Sequence, residues 1–511
     1  MTGSLHSLGA CEARDLIHRR QLSPVELVDA CLARIEQVDP AVNAMVTVAA
    51  ERARSEAVLA ADSLASGSRS SVGAQRGIGG ANPEASLLGL PVAIKDLQPT
   101  EGIRTTYGSG QFADHVPQAD SGIVRKVRQA GGIVIGKTNI PERSIGANTV
   151  NRLFGATANP FDLDATCGGS SGGSAVALAT EMAPLATGSD HGGSLRIPAC
   201  YCGVVGFRAT PGVVPFEERS VPQTFYSVQG PMARSVEDLG LLLSVIARRD
   251  SRGDPMAFPL DSEAFAKLAE VDLANMRIGI SPDLGGVLVS ETIRSSFEQR
   301  VEKLAGLVGD CVELPINLTE ASEIDWLVRS ELFVAQYHRE AQDWDEGFNP
   351  NIRRTYESAM ETPMASIAAA RASQMRLFHH MSDQFDHVDA IMVPGVSVSP
   401  FPWRQLYPTE VDGQPIQNYM AWLELTAAIT VVGHPVVALP AGRDQVGFPF
   451  GIQLIGPAYG DHRLLSIAAA LENAFGDDPD LARPIADEAL LSVNHEVLRT
   501  RGREVTDPRN P

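Results

Sequence analysis

The stretch CGGSSGGSAVALATEMAPLATGSDHGGSLRIPACYCGVVGFR, running from Cys167 to Arg208, decides how the rest of this chain is read. Two serines, Ser170 and Ser194, stand 24 residues apart in it, each in a glycine-rich loop. The first loop is Gly168-Gly169-Ser170-Ser171-Gly172-Gly173 and the second is Asp190-His191-Gly192-Gly193-Ser194. Between them the spacing predicts a small-residue helix over 173–180 and a short apolar run over 183–187. Glycine lacks a Cβ, so it reaches backbone angles closed to other residues and lets another group come close. Gly192-Gly193 can thereby turn successive backbone N–H groups toward one point, a nest able to hold a developing oxyanion. A flexible Gly/Ser linker would be polar throughout. Here the glycines alternate with AVALA and CGVVGF, so the stretch is read as folded.

Composition bounds the rest. The chain has 511 residues, 44% hydrophobic, 20% charged and 6% aromatic, which is the profile of a soluble globular protein with an aliphatic core. Its net charge of −20 argues against a nucleic-acid surface, which needs a basic patch, and against a strongly anionic substrate. Residues 1–25 lack the apolar core of a secretory signal, and no apolar run reaches membrane-spanning length. The six cysteines fit no zinc spacing and no disulfide framework, so they are read as reduced thiols of a cytoplasmic protein.

Along the chain, residues 8–62 read as helical, with Ser23-Pro24 as a cap and first turn. Residues 63–86, rich in Ser, Gly and Ala, read as a flexible loop. Strands are expected at 87–97, 132–136, 276–281, 389–394, 437–440 and 450–455. Helices are expected at 120–130, 236–247, 288–307, 318–345, 364–384 and 461–475, and a polar, loosely docked tail at 485–511. The alternation argues an α/β fold with helices on both faces of a sheet. The expected organisation is an N-terminal helical region (1–62), the loop, one catalytic domain (87–484, with its core at 87–215) and the tail.

Two motifs mislead. GGIVIGKT at 131–138 matches the phosphate-loop pattern literally, but a helix precedes it, strand formers fill it and Asn139-Ile140-Pro141 follows the lysine. GGSSGG matches a nucleophile elbow at Ser170 and at Ser171, yet FDLDATC before it is a poor strand, although His434 and His462 lie downstream. No His/Asp/Glu cluster has metal spacing, and His379-His380 reads as a surface pair.

A base for a serine must then come from elsewhere. His191 lies in the expected oxyanion loop, a poor place for one. Lys95 interrupts an otherwise apolar strand, where a lysine is rarely buried without a purpose or a partner. The plain alternative is an ammonium that reaches solvent or pairs with Asp96. Burial disfavours the charged form, and a neutral lysine can act as a base. A fall of about 2 to 3 in pKa costs roughly 3 to 4 kcal/mol of folding free energy, which suits an active site better than packing.

LPVAIKD (Leu90–Asp96), GKTN (Gly136–Asn139), the Gly168–Ser174 block and GSDHGGSLRIPA (Gly188–Ala199) resemble the amidase signature family. The likeness runs from the N-terminal helices to GIQLIGP (Gly451–Pro457), with the separated blocks in the family's order. The resemblance implies a mixed central β-sheet covered by helices on both faces. It implies Ser194 as nucleophile, Ser170 as a bridging serine in a cis peptide, and Lys95 as the base that later protonates the leaving amine. It also implies an oxyanion hole from the N–H groups of His191, Gly192, Gly193 and Ser194. Ser171, Asp190 and Arg196 fall on positions that hold these loops, and Ser144 falls where the family lines its acyl pocket. The implied reaction is a ping-pong hydrolysis through an acyl-enzyme, with neither metal nor organic cofactor.

Within the family, amidotransferase A subunits usually carry Gln after the arginine that follows the nucleophile, whereas this chain has Arg196-Ile197-Pro198. No segment resembles that subunit's glutamine-binding region. The chain therefore resembles a free-standing hydrolase, with a urethanase and an amidotransferase-type subunit working in a complex as the alternatives. Phe401, Trp403, Tyr407, Tyr419 and Trp422 could wall an apolar pocket or simply pack the core. The expected partner is a small amide or carbamate, with no nucleic acid and no membrane. A homodimer is compatible with the sequence.

Overall fold

The computed structural model describes residues 4–66, 87–248, 253–344, 348–416 and 418–505. Among the described residues eleven strands form one mixed sheet. In chain order they are β1 (Met45–Val48), β2 (Pro91–Lys95), β3 (Ile133–Thr138), β4 (Leu185–Asp190), β5 (Val205–Arg208), β6 (Val228–Ala233), β7 (Arg277–Ile280), β8 (Asp310–Glu313), β9 (Ala390–Pro394), β10 (Val436–Arg443) and β11 (Pro449–Ile455). Their order in space is β1-β3-β2-β4-β6-β5-β10-β11-β9-β7-β8. β3, β2 and β4 run parallel, as do β9, β7 and β8. The stretch from β4 through β6, β5, β10 and β11 to β9 is antiparallel.

The helices are α1 (Ala10–His18), α2 (Pro24–Val42), α3 (Ala50–Ser66), α4 (Gly122–Gln129), α5 (Gly172–Ala179), α6 (Arg196–Cys202), α7 (Val236–Ile246) and α8 (Glu291–Leu304). They continue with α9 (Ala321–Tyr337), α10 (Pro350–Glu361), α11 (Met364–Gln384), α12 (Glu424–Val432), α13 (Asp461–Gly476), α14 (Glu488–Leu491) and α15 (Val497–Thr500). This is the mixed, helix-covered sheet that the sequence implies. Ser23 closes a capping box with Glu26, and Pro24 occupies the first turn of α2. All five residues of β2 are buried, as expected of a strand between two parallel neighbours. α5 explains its own glycines. A Cβ on Gly172 would lie 2.2 Å from Thr149 Oγ1, and one on Gly173 would lie 2.4 Å from the Asn139 nitrogen, so the helix packs backbone against backbone.

Several expectations are corrected. The helical reading of 8–62 hides β1, four residues that pair antiparallel with β3 at the sheet edge. Residues 63–66 complete α3, and the remainder of the expected 63–86 loop lies outside the described residues. The helix expected over 318–345 ends at Tyr337, and α10 follows as a separate helix capped by Asn349. FDLDATC contains a strand, Asp162–Thr166, but in a small two-stranded sheet rather than the central one. The C-terminal segment is firmly docked. Leu498 is fully buried with Trp403, Val150 and Ala156, and Arg34 grips Glu488 at 2.9 Å. GGIVIGKT forms a turn and then one strand through Thr138, with Lys137 donating to Thr100 Oγ1 (2.8 Å), Thr105 Oγ1 (3.0 Å) and the Gln98 carbonyl (2.5 Å), so it is no phosphate loop.

Candidate active site

Strand β2 ends on Lys95, whose side chain is completely buried. Its Nζ lies 2.8 Å from Ser170 Oγ, 2.9 Å from Ser171 Oγ and 2.8 Å from Ser189 Oγ. It neither reaches solvent nor pairs with Asp96, which takes hydrogen bonds from Thr106 instead. Burial pushes the Lys95 ammonium down from 10.5 to about 7, with the charge of Asp190 pulling the other way. An ammonium has three donors and no acceptor, whereas a neutral amine has two donors and one lone pair. Three hydroxyl neighbours therefore suit both states, since one hydroxyl can turn from acceptor to donor. The Gly169–Ser170 peptide is cis, and the Ser171 N–H donates to the Ser194 carbonyl at 3.3 Å, tying the two serine loops together.

The second loop is anchored from below. Asp190, at the end of β4, accepts from Arg196 and Arg208 at 3.0 Å each, and all three side chains are fully buried. Burial raises the Asp190 carboxyl, but the two guanidiniums outweigh it and hold the group well below the usual carboxylate range. Asp190 also accepts from the N–H groups of Gly193 (2.9 Å) and Leu195 (3.1 Å). This corrects the expected oxyanion set, because the Gly193 N–H is already engaged. The N–H groups of Gly192 and Ser194 have no partner among the described residues. Gly193 holds φ +131°, and a Cβ there would lie 2.4 Å from Thr426 Oγ1, so this position requires glycine. Thr426 Oγ1 in turn donates to the Gly192 carbonyl at 2.7 Å.

Ser170, Ser189, His191, Gly192 and Ser194 all line one cavity of about 1550 Å³. Ser144 lines it too, with its hydroxyl buried and unpartnered among the described residues. His191 bonds Ser227 Oγ through Nδ1 at 2.8 Å. Burial, reinforced by Arg329 and Arg208, holds its imidazole well below its ordinary value and hence neutral. Of the five aromatics expected near a pocket, Tyr407 and Tyr419 line the cavity, whereas Phe401, Trp403 and Trp422 are buried in packing. The Tyr419 hydroxyl accepts from the Ala147 N–H at 2.6 Å. His434 and His462 are not in the cavity wall; they bond Val432 and Lys267 carbonyls.

Sequence reasoning missed Ser189 and Arg208. Ser189 sits one residue before Asp190 inside the quoted block, and strand alternation alone leaves open which face of β4 it takes. Arg208 ends an apolar strand just as Lys95 does, and that interrupting charge is the signal that could have found it.

The model of the family described as Amidase matches residues 26–465. The glutamyl-tRNA(Gln) amidotransferase A subunit of Caldanaerobacter subterraneus subsp. tengcongensis is 28% identical, covering 93% of this chain and 98% of that protein. Its counterpart of the same name from Geobacter metallireducens is 30% identical, covering 92% and 98%. Among solved structures, a bacterial aryl acylamidase of the amidase signature enzymes superposes with a TM-score of 0.83 at 26% identity, covering 93% of this chain and 97% of its own. The glutamyl-tRNA(Gln) amidotransferase A subunit of Thermotoga maritima superposes at 0.70 with 25% identity, covering 94% and 98%. With a family model spanning most of its length and the same architecture in solved relatives, this chain belongs to the amidase family.

Proposed function

We propose that this chain is a free-standing amidase that hydrolyses apolar or aryl amides through Ser194, Ser170 and Lys95. The observation that carries the reading is the buried Lys95 amine, held among three hydroxyls and brought down to about 7 by burial. In the proposed cycle Ser194 Oγ attacks the amide carbon. Its proton moves to Ser170 Oγ as the Ser170 proton moves to Lys95 Nζ. The carbonyl oxygen, now negative, takes hydrogen bonds from the N–H groups of Gly192 and Ser194. When the C–N bond breaks, Lys95 returns the proton through Ser170 to the departing amine. Water repeats the sequence on the acyl-enzyme and releases the acid. Ser171 and Ser189 hold the amine in place. Asp190, Arg196 and Arg208 hold the oxyanion loop and do not touch substrate. Ser144, Tyr407 and Tyr419 wall the pocket, which favours an apolar or aryl group on the amide and leaves room for carbamates and esters.

A substrate panel on the purified chain, with Ser194→Ala as blank, tests this. Turnover of acetanilide-type amides, esters or carbamates that the blank lacks is the expected result. The names of several relatives favour a second reading, an amidotransferase-type subunit that works only in a complex. A fluorophosphonate separates the two: labelling of Ser194 in the isolated chain supports the free hydrolase, and an inert Ser194 supports the subunit. A third reading, a Ser-His-Asp hydrolase, requires Lys95→Ala to keep most activity.

A further inference from the structure

The cavity wall does not share the charge of the chain. Against a net charge of −20 overall, it presents five arginines and three acids among the described residues, and one of those acids, Asp190, is already matched by two buried guanidiniums. Most of these arginines are spoken for or exposed. Arg143 pairs with Glu340 and Arg219 with Asp254, while Arg152 and Arg354 are exposed. Arg329 is placed differently. One stripe of α9 faces the cavity, with Trp326, Leu332, Phe333 and Tyr337 on it, and Arg329 is the one charged residue of that stripe. Its Nη2 stands 3.1 Å from where a Cβ on Gly192 would be, directly against the loop that carries Ser194.

Asp325, one turn earlier and buried, takes hydrogen bonds from the Nε (3.3 Å) and Nη2 (2.9 Å) of Arg329. That pins the guanidinium and leaves Nη1 without a partner among the described residues. An ion pair with its carboxylate buried and its guanidinium largely so recovers little of its desolvation cost, so packing alone would be served as well by apolar residues. A pinned guanidinium in a cavity wall, with donor hydrogens still free, is a preorganised receptor for an anionic oxygen, because its ordering cost is already met. Four more buried polar atoms on residues of the same wall lack partners among the described residues: Arg143 Nε, Ser144 Oγ, His191 Nε2 and Gln229 Oε1. Buried polar atoms without protein partners at a cavity are free to bond a ligand or water.

We propose that Arg329 binds a carboxylate on the acyl part of the substrate, so that the preferred substrates are half-amides of short dicarboxylic acids. This rests on the hydrolase reading. The acyl side follows from position: the departing amine must face Ser170 to receive its proton, whereas Arg329 lies against Gly192, beside the oxyanion donors. The carboxylate then sits a few bonds beyond the scissile carbonyl, and the amine part runs along the aromatic wall.

The test compares kcat/KM for glutaryl-p-nitroanilide and succinyl-p-nitroanilide with the neutral pentanoyl and butyryl analogues. The wild-type chain is expected to favour the carboxylated member of each pair by about tenfold or more. Arg329→Met should lower that ratio by about tenfold or more, and Arg329→Lys, which keeps charge but loses the fork, by less. Asp325→Asn/Arg329→Met removes both charges together and serves if the single variant does not fold. A wild-type ratio of one or below, or a ratio unmoved by Arg329→Met, overturns the proposal. Glutarate binding to the Ser194→Ala protein, followed by calorimetry, reads the same site without turnover. Binding that Arg329→Met abolishes supports the proposal, and absence of binding overturns it. If no anilide turns over above the Ser194→Ala blank, the hydrolase reading fails, and glutarate binding alone decides the carboxylate site.

Discussion

The chemistry proposed at Lys95 turns on one proton. An amine that must be neutral to work, with its value brought to about 7, predicts that kcat/KM for an uncharged amide rises with pH through about 7 and levels off above it. A pH–rate profile corrected with Ser194→Ala checks this, and a flat response over about three pH units centred near neutrality would contradict it. The same shift has a stability sign. The folded value lies below the unfolded one, so the unfolded chain holds the extra proton between about 7 and 10.5, and stability rises with pH across that window. Lys137, brought by burial to about 7 as well, adds to the same slope. At Asp190 it is the charged form that the fold favours, because two guanidiniums hold its carboxyl low. Asp190→Asn leaves Arg196 and Arg208 buried with no countercharge, and should cost about 3–5 kcal/mol in urea unfolding. Lys95 was legible in the sequence because a charge in an apolar run stands out. Ser189 was not, because its role depends on which way β4 turns its side chains.

Among the elements, the oxyanion loop tolerates the least. Gly193→Ala meets both a left-handed φ and the Thr426 hydroxyl, so it should lower kcat by about 100-fold or more while far-ultraviolet circular dichroism stays native. The roof over the cavity is a different case. Phe333, Tyr337, Ile352 and Ala359 make a hydrophobic cluster of their own, apart from the main core. Arg143 fastens it to the body: it pairs with Glu340 and lies 5.4 Å from the Phe112 and Phe348 ring centres and 5.8 Å from that of Tyr337. Arg143→Ala should therefore raise KM more than it lowers kcat, and should speed proteolytic cleavage between α9 and α10. Periodicity read α11 to the residue, because its 21 positions hold an uninterrupted helical pattern. It ran α9 too far and passed over α10, although NIRRTYESAME carries Ile352, Tyr356 and Ala359 at helical spacing between polar residues. It missed β1 because four residues between two helices carry too few alternations to register.

For the whole molecule, polarity proved a poor guide to attachment. Residues 485–511 are polar, which reads as a tail, yet contacts to distant parts of the chain fix the described portion. Arg499 donates to the Asp39 carbonyl at 3.2 Å, and the His495 N–H donates to the Pro40 carbonyl at 3.0 Å, both at the end of α2. The Leu498 carbonyl lies where a Cβ on Gly155 would be, so chain and tail meet backbone to backbone. Val505 then reaches the cavity wall. Single apolar anchors such as Leu498 and Leu491, spaced by polar residues, leave no periodic signal, although burying each is worth about 1.5–3 kcal/mol. Ending the chain at Asp487 would expose Trp403, Val150 and Ala156, and would take Glu488 from Arg34 and Arg499 from Asp39. The truncated chain should lose several kcal/mol of stability, melt well below the full-length protein, and bind substrate more weakly at equal temperature. Differential scanning calorimetry with KM measured in parallel would decide it. An unchanged melting temperature would mean that these contacts contribute nothing, and a lower one with unchanged KM would confine the segment to holding the fold.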